Sequence, residues 1–149
     1  MEKRDRFLVA GVGVAVIFLY HRFDLDYGNL AESGLTLSSI VLAVYIAAIV
    51  ALINSDLSKK MQTTVAGARR DRTQLGVLVI YFKFAALCSL GTIVISSLLI
   101  LLDNITFTEP SVLCGLSLLS ALGLVFYVEN LVFLVLILRF MLNRQIWNT

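Results

Sequence analysis

The sequence predicts an all-α polytopic membrane protein with four transmembrane helices and both termini in the cytoplasm, and three observations predict it. Of the 149 residues, 59% are hydrophobic and only 15% charged, with a mean hydropathy of +0.92, whereas a soluble domain runs near half apolar and a quarter charged. The apolar residues gather into four long runs separated by polar stretches. The lysines and arginines crowd onto alternate sides of those runs. Too little polar surface remains to cover four such runs in water, so hydrocarbon is their cheaper solvent. At about 20 residues per span, the longest polar remainder is Asn54 to Thr73, too short for a domain of its own. Residues 1–149 therefore read as one four-helix domain.

The first helix is expected over 7–23. A charged start, Met1 to Arg6, precedes the apolar run Phe7 to Tyr20, as in a signal peptide. The following Tyr20-His-Arg-Phe-Asp-Leu-Asp26 lacks the small residues of a cleavage site, so the run reads as an uncleaved anchor extended through Phe23. The second helix is expected over 35–53, with Thr36, Ser38 and Ser39 in its first turn, where hydroxyls cap free amides. The third and fourth, over 75–102 and 111–138, are 28 residues each, long enough to tilt or to project on the cytoplasmic side. Between them Asp103 to Pro110 forms a tight external turn, with Pro110 placed for the first helical position. Asn104-Ile-Thr106 matches a glycosylation sequon and carries little weight. No repeat or low-complexity segment interrupts the chain.

Orientation follows the basic residues of short loops. Lys3, Arg4 and Arg6 stand at the amino terminus, Lys59, Lys60, Arg69, Arg70 and Arg72 in the middle loop, and Arg139 and Arg144 in the tail. Opposite them stand Asp24, Asp26, Glu32, Asp103 and Glu109 with Arg22 alone. Both termini and the middle loop therefore face inward. Anionic lipid headgroups account for a basic inner loop; docking of a protein partner is the alternative. Direct nucleic-acid binding is not expected.

Two ionisable residues fall inside the apolar runs, Lys83 and Glu129. A charge at mid-bilayer costs at least about 2.5–3.5 kcal/mol on insertion scales, so such residues face a bundle interior or pair. Lys83 lies 20 residues before Asp103 and Glu129 lies 19 after Pro110, so an antiparallel hairpin brings both to one depth. An ion pair supported by Tyr81 and Asn130, with a role in gating, is one arrangement. The other has Lys83 snorkelling to the interface about 12 Å away and Glu129 protonated.

Small and hydroxyl residues recur at helical spacing. Ala85, Ser89, Thr92 and Ser96 share a face of the third helix, away from Lys83, and Leu116, Ser120, Gly123, Tyr127 and Asn130 share a face of the fourth. Such stripes allow close, hydrogen-bonded helix packing; the alternative is a pore lining, which requires a homo-oligomer because one four-helix unit has no room for a channel. Cys88 and Cys114 differ in depth by roughly 15 Å, beyond the ~7 Å that a disulfide spans, and read as packing residues. His21 is the single histidine, and no HExxH, cysteine–histidine or serine–histidine–acid set assembles from the chain. Gly11-Val-Gly13 lies in an apolar run and reads as packing. An enzyme, a metal or a cofactor is not expected.

The pattern resembles the RexB family, the membrane partner in the Rex exclusion systems of lambdoid prophages. The resemblance lies in a basic amino terminus, a first helix ending in Tyr20-His-Arg-Phe23, Gly34-Leu-Thr-Leu-Ser-Ser39 opening the second helix, and a basic inner loop leading to Val77-Leu-Val-Ile-Tyr81. Its residue-level part spans about residues 17–100 and carries no role over to Lys83 or Glu129. It implies a bacterial inner-membrane protein of antiviral defence, forming oligomeric ion channels that depolarise the membrane when a cytosolic sensor protein triggers them. On that implication Lys59 to Arg72 is the docking segment. Two other classes fit the same size: a non-conducting accessory subunit anchoring a complex, and a holin-like lysis protein.

Overall fold

The computed structural model describes residues 3–23, 27–54, 65–66, 69–103, 105 and 110–145, with side chains undescribed at Lys3, 65–66, 69–74 and 142–145. The elements are α1 (Lys3–Phe23), a 3₁₀ turn (Gly28–Leu30), α2 (Ala31–Ile53), β1 (Val65–Ala66), β2 (Arg69–Thr73), α3 (Gln74–Asp103) and α4 (Pro110–Gln145). All four α-helices are long and apolar enough to cross a membrane, over Arg4–Phe23, Gly28–Ile53, Leu75–Asp103 and Pro110–Met141.

The observed bounds depart from the expected ones in ways that local chemistry explains. Helix α1 starts one turn before Phe7, and its Asp5 in the first turn with His21 and Arg22 in the last complement the helix dipole. Helix α2 starts at Ala31, so Thr36 and Ser39 do not cap it. Their hydroxyls instead donate back to the carbonyls of Glu32 (3.0 Å) and Leu35 (2.7 Å), the i−4 bond that satisfies a hydroxyl inside a helix. Pro110 opens α4 as expected. With 30 and 36 residues, α3 and α4 run roughly 45 and 54 Å, against ~30 Å of hydrocarbon. Among the described residues the exception to an all-α chain is the antiparallel ribbon of β1 and β2, pairing Val65 with Thr73 and Ala66 with Arg69. It falls in the polar stretch before α3.

Helix α1 packs mainly on α4, α4 on α3, and α3 on α2, with a narrower contact between α2 and α4. The start of α1, the end of α4 and the ribbon therefore lie at one end of the bundle, the terminal end, and the end of α1, the 3₁₀ turn, the end of α3 and the start of α4 at the other, the hairpin end. Two apolar clusters fill the interior. Toward the terminal end, Val41 and Tyr45 of α2 meet Leu78, Phe82 and Ala85 of α3 and Phe133 and Ile137 of α4. Toward the hairpin end, Val16, Tyr27, Ala31, Ile95, Leu99 and Leu124 pack together. Outward-facing side chains such as Phe18, Ile46, Leu87, Val94, Leu118 and Val135 are large, apolar and exposed, as lipid-facing positions require.

Candidate membrane-embedded polar site

A seam of polar side chains runs down the interior of this apolar bundle. At the hairpin end, the Tyr20 hydroxyl of α1 donates to the Ser117 carbonyl of α4 at 3.0 Å and lies 3.1 Å from its Oγ. Deeper, Tyr27 is fully buried. Its backbone N–H donates to Ser120 Oγ at 3.0 Å, and its phenol oxygen lies 2.9 Å from Ser96 Oγ. Tyr27, just before the 3₁₀ turn, thus places an aromatic ring between α2, α3 and α4. Glycines make room for it. A Cβ at Gly123 would stand 2.6 Å from two Tyr27 ring carbons, and one at Gly34 would overlap the Tyr27 hydroxyl.

Below Tyr27 the seam passes Thr92, whose hydroxyl donates to the Cys88 carbonyl at 2.9 Å, and reaches Asn130, also fully buried. Ser89 donates to Asn130 Oδ1 at 2.8 Å, Tyr45 donates to the Oδ1 at 3.3 Å and to the backbone carbonyl at 3.2 Å, and Asn130 Nδ2 donates to Ser38 at 3.3 Å. One carboxamide therefore ties together α2, α3 and α4. Among the described residues no buried side-chain nitrogen or oxygen lacks a partner, which matters in hydrocarbon, where an orphaned amide or hydroxyl costs several kcal/mol. Interhelical hydrogen bonds in membranes average about 0.6 kcal/mol each and reach ~1.7. Asn130→Ala, which removes three side-chain bonds, is expected to cost about 2 kcal/mol. Denaturant titration in mixed micelles measures it, and an unchanged midpoint would show the network to be passive.

The structure does not bring Lys83 and Glu129 together. Lys83 is exposed on the outer face of α3, about 13 Å from that helix's start, within reach of the interface for a snorkelling stem. Among the described residues no ion pair joins it to Glu129. Glu129 turns inward instead. Its Oε1 lies 3.0 Å from where a Cβ would stand on Gly13 of α1, and its Oε2 accepts from Cys88 Sγ at 3.8 Å. Gly13 is therefore the gap through which the carboxyl approaches α1, while Gly11 meets nothing. Tyr81 and Asn130 do not support a Lys83–Glu129 pair either: the Tyr81 hydroxyl donates to Asp5 of α1, and Asn130 serves α2 and α3. The depth count from the α3–α4 turn carried no information about rotation about each helix axis.

Ser89, Thr92, Ser96, Ser120 and Gly123 are all buried within one chain, and Tyr127 is half-buried with its ring 6.1 Å from that of Tyr27. Their stripe faces the interior of a single bundle. Cys88 is buried and Cys114 exposed, and both are free. Lys59 and Lys60 lie outside the described residues; Arg69, Arg70 and Arg72 fall in β2. Tyr27, Tyr45 and Ser38 belong to the seam although sequence reasoning assigned them no site. The signal for Tyr45 was available: a tyrosine deep in an apolar run, away from the interfacial belt, needs a partner for its hydroxyl. Nothing comparable marks Tyr27, which sits in a polar connection.

At the hairpin end the seam opens into a recess of about 680 Å³, bordered by Tyr20, His21, Asn29, Glu32 and Asp103 and reaching Ser117 and Ser120. Ser120, which lines it, accepts from the Tyr27 backbone N–H. The recess, the buried Tyr27 ring and the hydrogen-bonded interior around Asn130 follow one another along the bundle. Among the described residues no group of three or more histidines, cysteines or carboxylates is placed to hold a metal ion. Comparison with protein-family models, with curated proteins and with solved structures finds no match to this chain, so the ground for a function is the seam itself.

Proposed function

We propose that this protein is an ion-permeable effector of the bacterial inner membrane, acting in phage exclusion as a homo-oligomer that depolarises the cell when a cytosolic partner triggers it. The observation that carries the reading is the succession, along one bundle, of the recess that Ser117 and Ser120 line, the buried Tyr27 bonded to Ser120 and Ser96, and the polar seam below. Hydroxyls and a carboxamide replace part of an ion's hydration, and the inward-facing Glu129 favours cations over anions. In the state described, every hydroxyl of the seam bonds to another group and Tyr27 fills the space between Gly34 and Gly123. That is a closed state. Because one closed four-helix unit has no room for a channel, opening requires α2 and α4 to part at Tyr27, with further copies of the chain completing the wall. The ten basic residues on the terminal side against one opposite support an inward-facing terminal end, where the basic stretch from Lys59 to Arg72 is the surface for a trigger protein. The resemblance to RexB supplies the defence context, and no catalysis is assigned.

The test is flux. Purified protein in liposomes with its triggering partner is expected to dissipate an imposed potassium diffusion potential, read with a potential-sensitive dye. Glu129→Gln is expected to lower cation conductance severalfold while leaving the bundle folded. A potential that holds under all triggering conditions would rule out conduction and leave a non-conducting accessory subunit. Rapid lysis on expression, instead of growth arrest, would assign a holin-like role.

A further inference from the structure

We propose that the terminal end of the bundle carries a binding site for the phosphate of an anionic phospholipid, held between Arg4 of α1 and Arg139 of α4. The two arginines line one cleft of about 150 Å³, although they lie 135 residues apart in the chain. The α1–α4 packing brings them together. Both are exposed, and among the described residues neither forms an ion pair. The remaining polar lining is Asp5 and Tyr81, and the Tyr81 hydroxyl donates to the Asp5 carboxylate. That bond occupies part of the one negative group, so two arginines line the cleft against a single, already engaged carboxylate.

A phosphate monoanion matches this arrangement. Guanidinium groups present paired N–H donors in a plane and bind phosphate oxygens in bidentate fashion. The rest of the lining is Val77, Leu136 and Phe140. A free phosphate ion gains nothing from an apolar wall, whereas a phospholipid carries its glycerol and acyl carbons beside its phosphate. The exposed Val135 and Leu138 of α4 continue the apolar surface from Arg139 into the membrane. The depth fits as well: Arg139 lies ten residues beyond Glu129, roughly 15 Å nearer the terminal end, where headgroups lie. Basic clefts between transmembrane helices bind anionic headgroups elsewhere by this chemistry. The site stands whether or not the bundle conducts.

The experiment is lipid titration of the detergent-purified protein, followed by native mass spectrometry. Phosphatidylglycerol is expected to remain bound where zwitterionic phosphatidylcholine is stripped. The double variant Arg4→Gln/Arg139→Gln is expected to weaken phosphatidylglycerol binding at least tenfold. Arg6→Gln/Arg22→Gln, which removes the same charge away from the cleft, is expected to change it less than twofold. Circular dichroism and size exclusion verify that each variant is folded; should the glutamine pair fail, Arg4→Lys/Arg139→Lys keeps the charge, removes the bidentate geometry and is expected to weaken binding severalfold. Equal weakening by the control pair, or binding unaffected by the cleft variants, would overturn the site. Inorganic phosphate displacing the lipid at equal concentration would overturn its assignment to a lipid headgroup.

Discussion

Tyr27→Ala is expected to be among the most damaging single substitutions in this protein, and to open it. The ring is fully buried among α2, α3 and α4, and removing a large aromatic side chain from a packed interior costs about 3–5 kcal/mol. The void left behind lies beside Ser120, which lines the recess at the hairpin end and accepts from the Tyr27 N–H, and is expected to join that recess to the seam beneath. On the conduction proposal the variant leaks without its trigger. Tyr27→Phe separates plug from hydrogen bond: it keeps the ring and loses only the contact with Ser96, about 1 kcal/mol. Liposome flux without the partner is therefore expected to rise for alanine and stay at background for phenylalanine. Equal flux from both variants would assign closure to the hydrogen bond, and no rise in either would remove Tyr27 from any gate.

Gly34→Ala is expected to cost about 3 kcal/mol, the upper end of overpacking penalties, and Tyr27→Phe is expected to recover part of that loss. The added Cβ would overlap the Tyr27 hydroxyl and come within 3.3 Å of Ser96 Oγ. A side-chain tip normally yields to such a clash, but this ring is caged: Gly123 has Cδ1 and Cε1 of the same ring 2.6 Å from its own Cβ position, with Ile95 Cγ2 at 2.9 Å. Removing the hydroxyl relieves the worst contact and leaves those with Cζ at 3.0 Å and Ser96 Oγ at 3.3 Å. A double-mutant cycle in mixed micelles is expected to give a coupling of 1 kcal/mol or more, in the range of residues that touch. Additive costs would mean that the ring moves aside freely, and the plug would lose its physical basis.

The two glycine contacts also indicate which parts of the molecule could be read in advance. Four spans, their order and the start of the last at Pro110 follow from composition and run length, because transfer of apolar side chains into hydrocarbon depends on how many lie in succession and on little else; the turn expected over 103–110 lies largely outside the described residues. The buried stripe of Ser89, Thr92, Ser96, Ser120 and Asn130 was visible as helical periodicity, since residues three and four apart share a face. Glu129 stood out as an acidic residue in an apolar run. Its partner did not. Equal depth suggested Lys83, yet depth is one coordinate of two, and the rotation of α3 that buries Ala85 and Ser89 turns Lys83 outward.

What the amino-acid order determined by itself was the solvent of each segment: four stretches that hydrocarbon accepts, basic residues gathered with the chain ends, and polar residues phased along α3 and α4. The tertiary structure alone decided which of those polar groups meet. Asn130 bonds to Ser38, Ser89 and Tyr45, Glu129 reaches Gly13, and Arg4 comes beside Arg139. It also decided that a tyrosine from an ordinary connection fills the heart of the bundle. The physical reason is range. Transfer into the bilayer adds up residue by residue along the chain, whereas hydrogen bonds and close packing depend on ångström-scale distances between residues some 40 to 135 positions apart, and only helix packing sets those.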